Sequence, residues 1–167
     1  MKGFKLSIML MFFLTGSTIA QGLIYEGNKS YNTSDTWEFM DNCEKGFAKV
    51  KITLGRYKND TSGILLMEIW KPFKMRFSDE LTIYLENGEI IRIYSNGNRD
   101  YVDDSNMGTY TLTAKNIEEL RLTKIKTIRY SYTGEFNKTC TASNEKLISF
   151  IETEKDYDTI KSIKNLW

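Results

Sequence analysis

Carboxylates, tyrosines, lysines and two cysteines are the side chains able to do chemistry in this 167-residue chain, which has no histidine. Without histidine there is no Ser-His-Asp triad, no Cys-His pair and no His-ligated zinc site. Cys43 and Cys140 are too few for a four-thiolate zinc site, and no GxxxxGK[ST] phosphate loop occurs. No resident metal or cofactor is expected from this set, and acid–base work would fall to carboxylates, Tyr or Lys.

Three groups invite a closer reading. Glu68 interrupts the apolar run 64–70, where burial would turn a carboxyl into a general acid. A bulge, an edge or a pairing with Lys or Arg is the commoner reason for such a residue. Asp100, Asp103, Asp104 and Asn106 crowd a polar segment ending at Gly108 and could offer oxygen ligands to Ca²⁺. Their spacing departs from the EF-hand pattern. Asp103 and Asp104 also make a poor glycosidase pair, because neighbours on a strand face opposite ways. The third group is aromatic: Tyr130 and Tyr132 share one strand face, and with Trp37 they could stack on sugar rings if exposed. Burial in an ordinary sheet is the competing expectation.

The chain opens like a secretory leader. Lys2 and Lys5 precede an apolar stretch at 6–14, and Thr18-Ile19-Ala20 offers small residues for cleavage after residue 20. That apolar stretch is too short for a membrane-spanning helix, which takes ~20 residues, so no transmembrane segment is expected after cleavage. Residues 21–167 then form a single domain that is secreted or periplasmic, and a composition rich in Lys, Asn, Ile and Tyr points to a bacterial source. Export makes a Cys43–Cys140 disulfide the natural fate of the two thiols. The whole chain carries 23 basic and 22 acidic residues, and losing Lys2 and Lys5 tips the formal balance from +1 to −1. Nucleic acid is therefore not an expected partner. Sequons at Asn28, Asn32, Asn59 and Asn137 would matter only in a eukaryotic secretory pathway.

The elements that must position these residues are mostly strands. Val50, Ile52 and Leu54 alternate with Lys49, Lys51 and Thr53. Run 64–70 reads as a strand covered on both faces and ended by Pro72. Residues 81–86 and 89–94 read as a hairpin about a two-residue Asn87-Gly88 turn, with Glu86 opposite Glu89. Segment 96–108 reads as a loop, and Thr113 as the cap of a short helix carrying Ile117 and Leu120. Strands are expected at 125–133 and 136–141, joined by a turn at 133–135. From Ser143 the period lengthens: Leu147, Ile148 and Ile151 mark one helix, and Ile160, Ile163 and Trp167 a second beyond Asp156-Tyr157-Asp158. Residues 21–46 are ambiguous, with Trp37 and Phe39 suggesting a packed strand.

The expected class is α+β: a β-dominated antiparallel sheet, a sandwich being the variant, with a C-terminal helical segment. The expected function is a non-enzymatic module that binds a protein or a glycan of the envelope. A carbohydrate-binding module and a carboxylate-dependent enzyme are the alternatives.

Overall fold

The computed structural model of the chain describes residues 23–26, 29–43, 48–58, 60–134, 137–147, 153–154 and 156–167. The expected leader lies outside the described residues. In chain order the strands are β1 (Leu23–Glu26), β2 (Lys29–Thr33), β3 (Trp37–Asp41), β4 (Lys49–Tyr57), β5 (Gly63–Trp70), β6 (Arg76–Phe77), β7 (Glu80–Leu85), β8 (Ile90–Val102) and β9 (Ser105–Leu112). Helix α1 (Ala114–Leu122) follows, then β10 (Ile125–Thr133), β11 (Lys138–Ser143), β12 (Lys146–Leu147), β13 (Thr153–Glu154) and α2 (Thr159–Leu166).

Eight strands close into an antiparallel barrel. Around the wall they run β3, β4, β5, β9, β8, β7, β10 and β11, and β11 pairs back with β3. Strands β7, β8 and β9 form a meander, and the chain returns through α1 to place β10 beside β7, a Greek-key order. The antiparallel expectation is met, but the sheet closes on itself, and the molecule is richer in strand than an α+β layer or a sandwich. Closure removes most sheet edges.

An eight-stranded barrel is just wide enough for its interior to be filled by side chains. Here it is filled. Trp37 and Phe39 of β3, Val50, Ile52 and Leu54 of β4, and Leu65, Met67 and Ile69 of β5 are all buried. From the opposite wall come Leu81, Ile83, Ile91, Ile93, Tyr110, Ile128 and Tyr130. Outward positions carry Lys49, Lys51, Glu80, Arg92 and Arg129, the reverse of an apolar lipid-facing band. Among the described residues no helix is long and apolar enough to cross a membrane.

Both ends of the barrel are covered. At one end α1 and α2 pack together and bury Ile117, Leu120, Ile163 and Leu166. Thr113 and Asp158 cap these helices by accepting from the backbone N–H groups of Asn116 and Lys161. Two further bonds dock α2: Ile125 N–H donates to Thr159 Oγ1 at 3.1 Å, and Arg56 Nη1 donates to the Leu166 carbonyl at 3.0 Å. At the other end the β5–β7 connection crosses the opening. Buried Asn106 anchors it, accepting from Met75 N–H at 2.6 Å and donating to the Phe73 carbonyl at 3.1 Å.

Three expected elements take another form. Glu86 to Gly88 make a three-residue loop closed by Leu85 and Glu89, with only Gly88 in the left-handed region at φ 88°. Glu86 and Glu89 therefore do not oppose each other. The two-residue turn sits instead at Asp103-Asp104, both at positive φ, between Val102 and Ser105. Most of segment 96–108 is thus strand, not loop. Ser143 ends β11 rather than starting a helix, and Leu147 lies in the small β12–β13 ladder. Ile148 and Ile151 lie outside the described residues.

Candidate functional site

Trp70 is the most exposed aromatic residue of the described chain, 64% accessible at the end of β5. Its exposure follows from strand alternation. Leu65, Met67 and Ile69 point into the barrel, so Leu66, Glu68 and Trp70 point out. Pro72 follows one residue after Lys71, and the strand stops there. The tip of the β8–β9 hairpin is clamped to this strand end, with Lys71 N–H donating to the Asp104 carbonyl at 2.8 Å. Trp70 then stands opposite Ser105 in the β5–β9 ladder.

The clamped hairpin makes a groove of about 300 Å³ on the outer wall. Its apolar surface comes from Trp70, exposed Val102 and half-buried Met107, and its polar surface from Lys51, Glu68, Asp103 and Ser105. Glu68 is fixed in place: Ser105 Oγ donates to its Oε1 at 2.8 Å, and Lys51 Nζ lies 3.4 Å from the same oxygen. Lys51 and Glu68 are cross-strand neighbours, so the pair is set by the β4–β5 register. The carboxyl interrupting the apolar strand is thus an outward residue with a lysine partner, and its side chain is 28% exposed. Asp103 lies in the same groove because the left-handed turn holds it beside the strand end.

The remaining expected ligands do not converge. Trp37, Tyr130 and Tyr132 are 1%, 1% and 2% exposed and fill the barrel, so none presents a face for stacking. Tyr130 O–H donates to Asp41 Oδ1 at 2.8 Å within that interior. Asp100, Asp103, Asp104 and Asn106 do not form a cation loop. Asn106 points inward to hold the β5–β7 connection, Asp100 accepts from Tyr101 N–H, and Asp104 accepts from the Tyr101 hydroxyl at 2.8 Å. That last bond holds the Tyr101 phenol above its ordinary range.

Cys43 and Cys140 are bridged, their Cα atoms 5.0 Å apart. The bridge crosses the β3–β11 seam, where only Asp41–Ala142 and Met40–Ser143 pair in the ladder. Asp41 lies under it, near both sulfurs, and its Oδ1 also accepts from Cys43 N–H at 3.0 Å. With the sulfurs committed to each other, this group offers no metal site. The bridge is compatible with an oxidising extracellular or periplasmic compartment.

A second groove, about 310 Å³, opens where β8 leaves β7. Exposed Lys74 and Arg76 line it with Arg99, whose guanidinium is bonded to Asp79 and to the Phe77 carbonyl. A third, about 340 Å³, lies beneath the β8 bulge at Asn96 to Asn98, beside Tyr31 and Tyr57.

Trp70 is legible as exposed in the sequence. It sits two residues after Glu68, so a charged Glu68 marks that face of the strand as the wet one. The chain matches no family model, no curated protein and no solved structure.

Proposed function

We propose that this protein is an exported, non-enzymatic binding module that engages an envelope component on the outer wall of its barrel, at the Trp70 groove. One observation carries the reading. A tryptophan ring stands 64% exposed beside a prepositioned carboxylate on a rigid strand, while the barrel interior is filled. Tryptophan is the residue type most enriched among those that dominate binding energy. The filled interior argues against a carrier that swallows its ligand, as wider or emptier barrels do. The disulfide and the two covered ends favour a scaffold that stays rigid outside the cell.

A carboxylate-dependent enzyme is the second reading, favoured by Glu68 and Asp103 lining one groove. Glu68 is already engaged by Lys51 and Ser105, which suits a positioned ligand-binding group better than a proton donor.

The test is retention of the purified protein on an envelope preparation from its source, comparing wild type with Trp70→Ala. Retention of wild type and loss in the variant is the expected result. Equal retention of both proteins would remove the groove from the function.

A further inference from the structure

We infer that the occupant of the Trp70 groove is a saccharide ring, stacked on the indole and held by hydrogen bonds from its hydroxyls; this rests on the reading of the groove as the binding site. The chemistry of the lining points there. A sugar ring has an apolar C–H face and a rim of hydroxyls that both donate and accept. The groove answers each part: Trp70, Val102 and Met107 give an apolar bed, Glu68 and Asp103 accept, Lys51 donates, and the Ser105 oxygen, whose proton goes to Glu68, accepts.

Other occupants fit less well. A purely apolar ligand would strip water from Lys51, Glu68 and Asp103 without replacing their hydrogen bonds. An anionic ligand would meet two carboxylates and one lysine that already faces Glu68. A cationic group could stack on the indole, but it would compete with Lys51 for the Glu68 carboxylate, which leaves Asp103 alone to balance it. A second copy of the chain needs roughly 800 Å² of contact per partner, whereas the apolar bed here is three side chains, Trp70, Val102 and Met107. The groove volume, about 300 Å³, suits one or two sugar rings.

The geometry also assigns the parts. Trp70 supplies the stacking surface, and Glu68 is the orienting acceptor because Ser105 and Lys51 fix its Oε1 and leave the other oxygen for ligand. Asp103 closes the far side on a turn whose backbone sits at φ 49°.

The experiment digests the envelope preparation exhaustively with protease and measures retention on the polysaccharide that remains. Oligosaccharides released from that polysaccharide by mild acid are then used as soluble competitors. Wild type should be retained and competed off, Trp70→Ala should weaken binding roughly thirtyfold, and Trp70→Tyr should keep most of it. Glu68→Gln, which preserves shape, should weaken binding without altering the melting temperature. If protease treatment abolishes a retention that depends on Trp70, the saccharide is wrong and the binding module stands. If neither intact nor digested envelope shows retention that depends on Trp70, the binding module falls as well.

Discussion

At the scale of single residues, two tryptophans with opposite environments separate scaffold from site. Trp37 is buried in the barrel and Trp70 stands in water, so truncating each to alanine should have unlike costs. Trp37→Ala is expected to lose about 3–5 kcal/mol by opening a cavity. Trp70→Ala should stay within about 0.5 kcal/mol of wild type, as exposed substitutions do. Urea unfolding of both variants checks this, and a large loss from Trp70→Ala would mean that its ring supports the fold. Tyr110 gives a test in pH. Burial pushes its phenol above the ordinary tyrosine range, and its hydroxyl donates to the Ser78 carbonyl at 3.3 Å. Below about pH 10 the folded and unfolded states both keep this proton, so the contribution is fully present. Above it the unfolded chain releases the proton first, and stability falls as pH rises. The decline in unfolding free energy between about pH 9 and 11 should be steeper in wild type than in Tyr110→Phe. Equal slopes would show that the burial of this phenol is not linked to folding.

Individual elements show how close packing fixes the wall. Gly63 opens β5 where a β-carbon would lie 2.4 Å from the Gly55 carbonyl and 2.5 Å from the Trp167 ring. The backbone cannot give way there, so Gly63→Ala should cost about 1–3 kcal/mol by overpacking the joint between β4, β5 and α2. A melting temperature equal to that of wild type would contradict that joint. Much at this scale was legible in the sequence: the alternation of β4, the end of β5 before Pro72, the Thr113 cap, and the helix through Ile163 all stand as the residues suggest. Residue type and structure part company at the turns. Asn87-Gly88 has the composition of a two-residue turn, but the paired positions leave a third residue in the loop. Asp103-Asp104 carries no glycine, yet takes the two left-handed positions, which aspartate tolerates better than most residues. The polar composition of segment 96–108 suggests a loop and hides the strand that builds the groove. Its outward face is polar for the ordinary reason that it meets water, and its inward face is unusual only because Arg99, Asn106 and Gly108 replace apolar residues there. Gly108 leaves room for the Phe77 ring, which a β-carbon would approach to 2.9 Å.

At the scale of the whole molecule, closure is the property that local patterns could not reveal, because it depends on β9 meeting β5 and on β11 meeting β3 far along the chain. The β3–β11 seam has the shorter ladder of the two, and the Cys43–Cys140 bridge ties it across a separation of 97 residues. In the chain-entropy model such a link contributes about 4–5 kcal/mol. Reduction, or the double variant Cys43→Ser with Cys140→Ser, should lower the melting temperature sharply, and two reactive thiols in denatured, unreduced protein would disprove the bridge. A closed, filled barrel leaves the outer wall for the ligand proposed above. The three tryptophans report directly on this, since Trp37 lies inside, Trp167 packs at the helical end and Trp70 stands in the groove. The decisive measurement follows their indole N–H signals by NMR while the protein is titrated with oligosaccharides released from the protease-digested envelope. Binding on the outer wall predicts a saturable shift of the Trp70 signal alone; a shift of Trp37 with Trp70 unmoved would place the ligand inside the barrel and contradict it.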